Sequence, residues 1–228
     1  MHIVIILIIL VAIIYAPSLW AKATFKRYSK PREDIPGNGA QLARHLLAKL
    51  DMSHVKVEKT EKDGDHYDPT DKVVRLSPNN YNDRSLTAIT VAAHEVGHAI
   101  QDHRNDSMLA ARIKLIGVTH IIQQIGGWVL VMLPILAIIS RNPIIGLLTV
   151  LTGIAVMGVS VIVHLVTLPV EYDASFNKAL PILFEGDYIE EKDRPAAQRI
   201  LKAAALTYVA ASLASLLNFW RWFTLFRH

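Results

Sequence analysis

The sequence predicts a mainly α-helical integral membrane protein, with about four transmembrane helices and a small α+β cap. Three observations carry this. Of 228 residues, 52% are hydrophobic and only 19% are charged, a balance too apolar for an ordinary soluble domain. Four stretches reach or approach the ~20 apolar residues that a hydrocarbon core of ~30 Å requires. One long polar segment, 21–113, follows the first stretch and holds both helix and strand patterns.

The first stretch lies in residues 1–20, "HIVIILIILVAIIYAPSLW" from His2 onward. A cleaved signal peptide needs a positive region before its apolar run, and here only His2 precedes it. "AKA" at 21–23 would put a lysine inside the cleavage site. The positive residues follow instead: Lys22, Lys26, Arg27, Lys30 and Arg32. The stretch therefore reads as a retained transmembrane anchor, N-terminus outside and basic flank in the cytoplasm.

Segment 21–113 then reads as the cytoplasmic region. "YSKPREDIPGNG" is a linker rich in proline, glycine and charge. In "GAQLARHLLAKL", Leu42, Leu46 and Leu50 recur every four residues, an amphipathic helix. "HVKVEK" alternates Val55 and Val57 with polar neighbours, a short strand. "DHYDPTDKVVRLSP" reads as turn, strand and turn, with Val73, Val74 and Leu76 as its apolar members. The edge of "KVVRL" could pair with an extended peptide, unless neighbouring strands cover both sides. Ser85 can cap the helix "LTAITVAAHEVGHAIQ", which has no proline and one glycine.

Residues 114–168 form a transmembrane hairpin, its spans at about 115–139 and 144–168 joined by "SRNP". Its polar members His120, Gln123, Gln124 and His164 read best as interfacial groups or interhelical hydrogen-bond partners. Segment 169–202 returns to the cytoplasm. Residues 203–228 hold the last, weakest span (203–220) and a tail, anchored at the interface by Trp220, Arg221 and Trp222.

The chemistry sits in "VAAHEVGHAIQDH", 91–103. His94 and His98 are just over one helical turn apart, so both imidazoles project from one face and can grip one Zn²⁺. Glu95 is ~100° around the helix, where a general base for water activation is needed. Gly97 leaves room for a facing segment. With no cysteine in the chain, thiolate ligands and disulfides are excluded. A catalytic site needs a third protein ligand. Among the carboxylates, Glu171 and Asp173 in "LPVEYDAS" are candidates. Topology favours Glu171, because the hairpin leaves the HEVGH side of the membrane and returns to it just before this residue. Tyr172, His66, Tyr67 and His103 are candidate donors to the developing oxyanion, and no spacing singles one out.

Four blocks, "DHYDPTDKVVRLSPNNY", "VAAHEVGHAIQ", "LPVEYDAS" and "AAALTYVAA", together resemble the YugP-type family of bacterial membrane-bound neutral zinc metallopeptidases. The wider similarity is to the gluzincin pattern, HExxH with a downstream glutamate. The resemblance implies a zincin-like catalytic cap binding one Zn²⁺ per chain. It implies His94, His98 and Glu171 as ligands and Glu95 as the catalytic base. Gluzincins often carry an acid a few residues past the third ligand to orient a histidine; here Asp173 or Ser175 could serve. The expected partners are the lipid bilayer, a protein or peptide substrate and a membrane-protein partner or regulator, with no nucleic acid. The expected place is the bacterial inner (cytoplasmic) membrane, multi-pass, with the site on the cytoplasmic side.

Two other readings compete. An intramembrane protease would bury HEVGH in a long apolar span, but charged and amide residues crowd both sides: Asn82, Asp83 and Arg84 before it, Asp102, Arg104 and Asp106 after. A zinc-binding membrane scaffold or regulator without turnover would not need Glu95.

Overall fold

The computed structural model describes residues 2–61 and 64–207, and they are mostly helical. Residues 208–228 lie outside them, and with these most of the last predicted span and the Trp220–Trp222 anchor. The side chain of His164 also lies outside.

Helix α1 (His2–Tyr28) carries the first apolar stretch and continues without a break through Lys22, Lys26 and Arg27. Its end docks on the cap: Thr87 Oγ1 donates to the Phe25 carbonyl at 3.0 Å, and the Arg32 amide to the Arg84 carbonyl at 2.8 Å. Helix α2 (Gly39–Lys49) begins in a capping box, where Asn38 and Gln41 satisfy each other's backbone amides. It buries Leu42, Leu46 and Leu47, while Leu50 ends the helix as its C-cap.

Strands β1 (Lys56–Lys59), β2 (His66–Asp68) and β3 (Val73–Leu76) form one sheet in the order β1-β3-β2. β1 runs parallel to β3, and β2 antiparallel to it. The sequence reading has one strand in "DHYDPTDKVVRLSP"; the structure has a hairpin. Asp68 makes it possible by accepting the amides of Thr70 (2.9 Å) and Asp71 (3.2 Å), closing the turn between β2 and β3. β3 is thus the central strand, and its edges are not open to a peptide.

After a short helix α3 (Pro78–Asn82) comes α4 (Leu86–His103), which Ser85 caps by accepting the Ala88 amide. Every residue from Leu86 to Gln101 is buried. A helix enclosed on all sides is the centre of its domain. Packed around it are α2, the sheet, α7 (Leu180–Glu185) and α8 (194–207), with Leu46, Leu76, Val96, Leu183 and Ile200 among the enclosed side chains.

Helices α5 (Ser107–Ser140) and α6 (Pro143–Tyr172) form an antiparallel hairpin, turned at Arg141 in the left-handed conformation (φ 50°) and capped by Asn142. α6 passes into a π-helical turn (Asp173–Ala179) and then α7. Among the described residues, α5 and the run Pro143–Glu185 are long and apolar enough to cross a membrane. Their surface fits that: Ile138 and Ile139 are 77% and 74% exposed, a poor state in water and a natural one in lipid. His120, Gln123 and Gln124 are also exposed along this hairpin. α5 starts about two turns before the predicted span, which brings Arg112 onto it.

Candidate metal centre

Burying α4 makes each of its polar side chains a question of partners, because a polar group removed from water is costly unless hydrogen-bonded. His94, Glu95, His98 and Gln101 are all 5% exposed or less. Two histidines four apart face the same way, their ring centroids 4.8 Å apart and their planes at 76°. Opposite them stands Glu171, at the end of α6 and wholly buried. Its Oε2 lies 3.2 Å from His94 Nε2 and 3.3 Å from His98 Nε2. One ligating atom from each of the three residues falls within 4.8 Å of the others.

The outer nitrogens of both rings are held from behind. Gln101 Nε2 donates to the Val170 carbonyl at 2.9 Å and to Asp173 Oδ2 at 2.8 Å. With its amide nitrogen so engaged, its oxygen must face His98, whose Nδ1 is 2.9 Å away. His98 therefore carries a proton on Nδ1, an assignment made from the network, and turns Nε2 toward Glu171 Oε2, 3.3 Å away. His94 Nδ1 lies 3.1 Å from Ser175 Oγ, a hydroxyl able to accept in the same way. Two imidazoles and one carboxylate, aimed at a common point and steadied from outside, fit Zn²⁺ with one place left open.

The π-helical turn explains how α6 serves both ends of this arrangement. Glu171 and Ser175 flank its start, and Asp173 reaches Gln101 from within it. Such turns often mark functional sites, since the wider turn re-aims side chains. It also lies hard against α4: a Cβ on Gly97 would come 2.6 Å from the Ala174 carbonyl oxygen. Gly97→Val should push the turn away from α4 and loosen Glu171 and Ser175 together. Zinc affinity, measured by competition with a chelator dye, should fall by about tenfold or more, the usual scale for losing ligand support. Unchanged affinity would mean that the close approach has no part in the site.

Glu95, beside His94, is buried. Burial is the main cause that pushes its carboxyl up to about 8; His94 and Arg112 oppose the rise, while Asp65 and Glu171 add to it.

The remaining sequence candidates fall in different places. Asp173 lies behind the site, bonded to Gln101, Asn177 and Lys178. Tyr172 is 59% exposed and packs on Phe176. The Tyr67 hydroxyl donates to Asp102 Oδ2 at 2.6 Å, which Lys72 also contacts. His66 is exposed, with Nδ1 3.1 Å from the Gly64 carbonyl. His103, at the end of α4, neighbours His54 at 6.2 Å between ring centroids.

Sequence reasoning missed Gln101 and Arg112. Gln101 stands three residues after His98, hence on the same helical face, and that spacing was a usable signal. Arg112 Nη1 lies 3.0 Å from Glu171 Oε1. Its signal was a charge within a helix otherwise fit to cross a membrane, which is a functional pointer by default.

These features define a class: a helical protein with two candidate membrane spans and a buried His–His–Glu cluster built from an HExxH helix and the end of a second helix. The chain belongs to the family described as "Putative neutral zinc metallopeptidase", which it matches over residues 3–227. "Putative membrane protease YugP" of Bacillus subtilis (strain 168) is 38% identical to it over 214 residues, covering 92% of this chain and 91% of that protein. No solved structure matches.

Proposed function

We propose that the protein is a membrane-bound zinc endopeptidase that hydrolyses peptide bonds in membrane or membrane-associated proteins. The observation that carries this is the convergence of His94 Nε2 and His98 Nε2 on Glu171 Oε2, with Glu95 buried next to His94. His94, His98 and Glu171 would hold one Zn²⁺, which in such a donor set acts as a Lewis acid on the scissile carbonyl and the attacking water. Glu95 accepts the proton of that water on a carboxylate oxygen and returns it to the leaving amide nitrogen. Burial makes this carboxylate more basic than an exposed one. Gln101 and Ser175 keep both Nε2 atoms turned inward throughout. With β3 enclosed, a peptide pairing with the sheet would use an outer edge of β1 or β2.

Purified protein in detergent should hold about one zinc per chain and cleave an unfolded polypeptide. A chelator should stop cleavage and added zinc restore it. Zinc bound without cleavage of any unfolded substrate would favour the scaffold or regulator.

In this reading the site faces the cytoplasm at a bacterial inner membrane; the five positive residues between 22 and 32 and the α5–α6 hairpin support it. Reporter fusions at Gly64 and Asp187 should both give the cytoplasmic signal. Opposite signals would separate Glu171 from His94 and His98 and end the proposed site.

A further inference from the structure

Glu171 divides its two carboxylate oxygens between different partners. Oε2 faces both imidazoles, and Oε1 faces Arg112 Nη1 at 3.0 Å. Arg112 belongs to α5, so this pair crosses the membrane hairpin. The hairpin's packing sets the match. Gly126 of α5 meets Val156 of α6 so closely that a Cβ there would lie 2.3 Å from Val156 Cγ2. Arg112 lies about four turns before Gly126, and Glu171 about four turns after Val156. Antiparallel helices locked at Gly126 therefore bring Arg112 and Glu171 to one level. The Arg112 side chain is only 16% exposed and that of Glu171 is fully enclosed, so the pair is shielded and its geometry matters more than a surface ion pair's.

We infer that Arg112 is a positioning residue: it occupies Oε1 so that Glu171 offers the metal one oxygen only. A carboxylate free to rotate can give a cation both oxygens and fill the place that a reacting group needs. An arginine on one oxygen opposes that, since its positive charge, 3.0 Å away in a shielded place, holds that oxygen by ion pairing. It also makes the ligand geometry depend on the seating of α5 against α6. This inference rests on Glu171 being the third metal arm.

The test uses full-length protein in detergent, metal-free and then loaded with Zn²⁺ or Co²⁺. Arg112→Gln should weaken Zn²⁺ binding by roughly 10–100-fold, the scale of losing a ligand's outer support. The visible absorption of the Co²⁺ form should weaken as well, because a two-oxygen carboxylate raises the coordination number. Arg112→Lys keeps a charge near Oε1 and should recover part of both. Metal-free Arg112→Lys and wild type should share a circular dichroism spectrum, which keeps the comparison within folded protein. A wild-type affinity and cobalt spectrum in Arg112→Gln overturns the inference, as does a lysine variant no better than glutamine. Glu171→Ala separates the two failures. If it keeps wild-type affinity, Glu171 is no metal arm and the inference falls with the site. If it loses affinity while Arg112→Gln does not, only the role of Arg112 falls.

Discussion

Glu95→Gln should leave zinc in place and reduce peptide cleavage by about 10²–10⁴-fold, the usual worth of a general base. The side chain keeps its size and one carbonyl oxygen but can no longer take a proton from water. Zinc content should stay near the wild-type value, because His94, His98 and Glu171 form the cluster without it. The fold should also survive. Burial raises the Glu95 carboxyl to about 8, so the metal-free folded chain binds this proton more tightly than the unfolded chain. That preference makes stability fall as pH rises from the ordinary carboxylate range through about 8. Glutamine removes the penalty, so the metal-free variant at pH 8 should melt no lower than metal-free wild type. Wild-type cleavage rates in Glu95→Gln would exclude Glu95 as the base. Loss of zinc together with activity would instead make it a ligand.

Glu171→Ala should lose zinc far more severely than any supporting residue does. Removing it leaves two imidazoles on one helix, where a catalytic site uses three protein ligands. It also strips Arg112 of its carboxylate partner, and breaking a shielded ion pair costs about 3–5 kcal/mol. Glu171→Gln, which keeps the volume, should therefore accompany it, and both should bind zinc poorly. Asp173→Ala should be milder, about 10–100-fold in affinity, because Asp173 acts through Gln101 on His98. Metal analysis and peptide cleavage on the same preparations decide between them. Full zinc in Glu171→Ala with loss in Asp173→Ala would make Asp173 the third ligand.

The two kinds of residue at this site were legible to different degrees. His94, Glu95 and His98 share one helix, so their relation follows from helical geometry alone. Ser85 as a cap and Gly97 as a point of close approach were legible for the same reason. The role of β3 was not. "KVVRL" looks the same at an edge or in the centre, and only the pairing of β1 and β2 on its two sides decides. "HYD" is too short to announce a strand; its strand character comes from facing β3.

The sequence by itself determined the apolar hairpin, the metal-type helix and the family, because each is written in local periodicity or in contiguous blocks. Hydropathy could also bring Glu171 back to the right side of the membrane. Only the tertiary structure decided which atoms meet. The π-helical turn aims Ser175 at His94, Gln101 is locked between Val170 and Asp173, and Arg112 finds Glu171 from another helix. Each depends on how α5 and α6 seat against one another and against α4. That seating arises from packing between residues far apart in the chain, which no local pattern encodes.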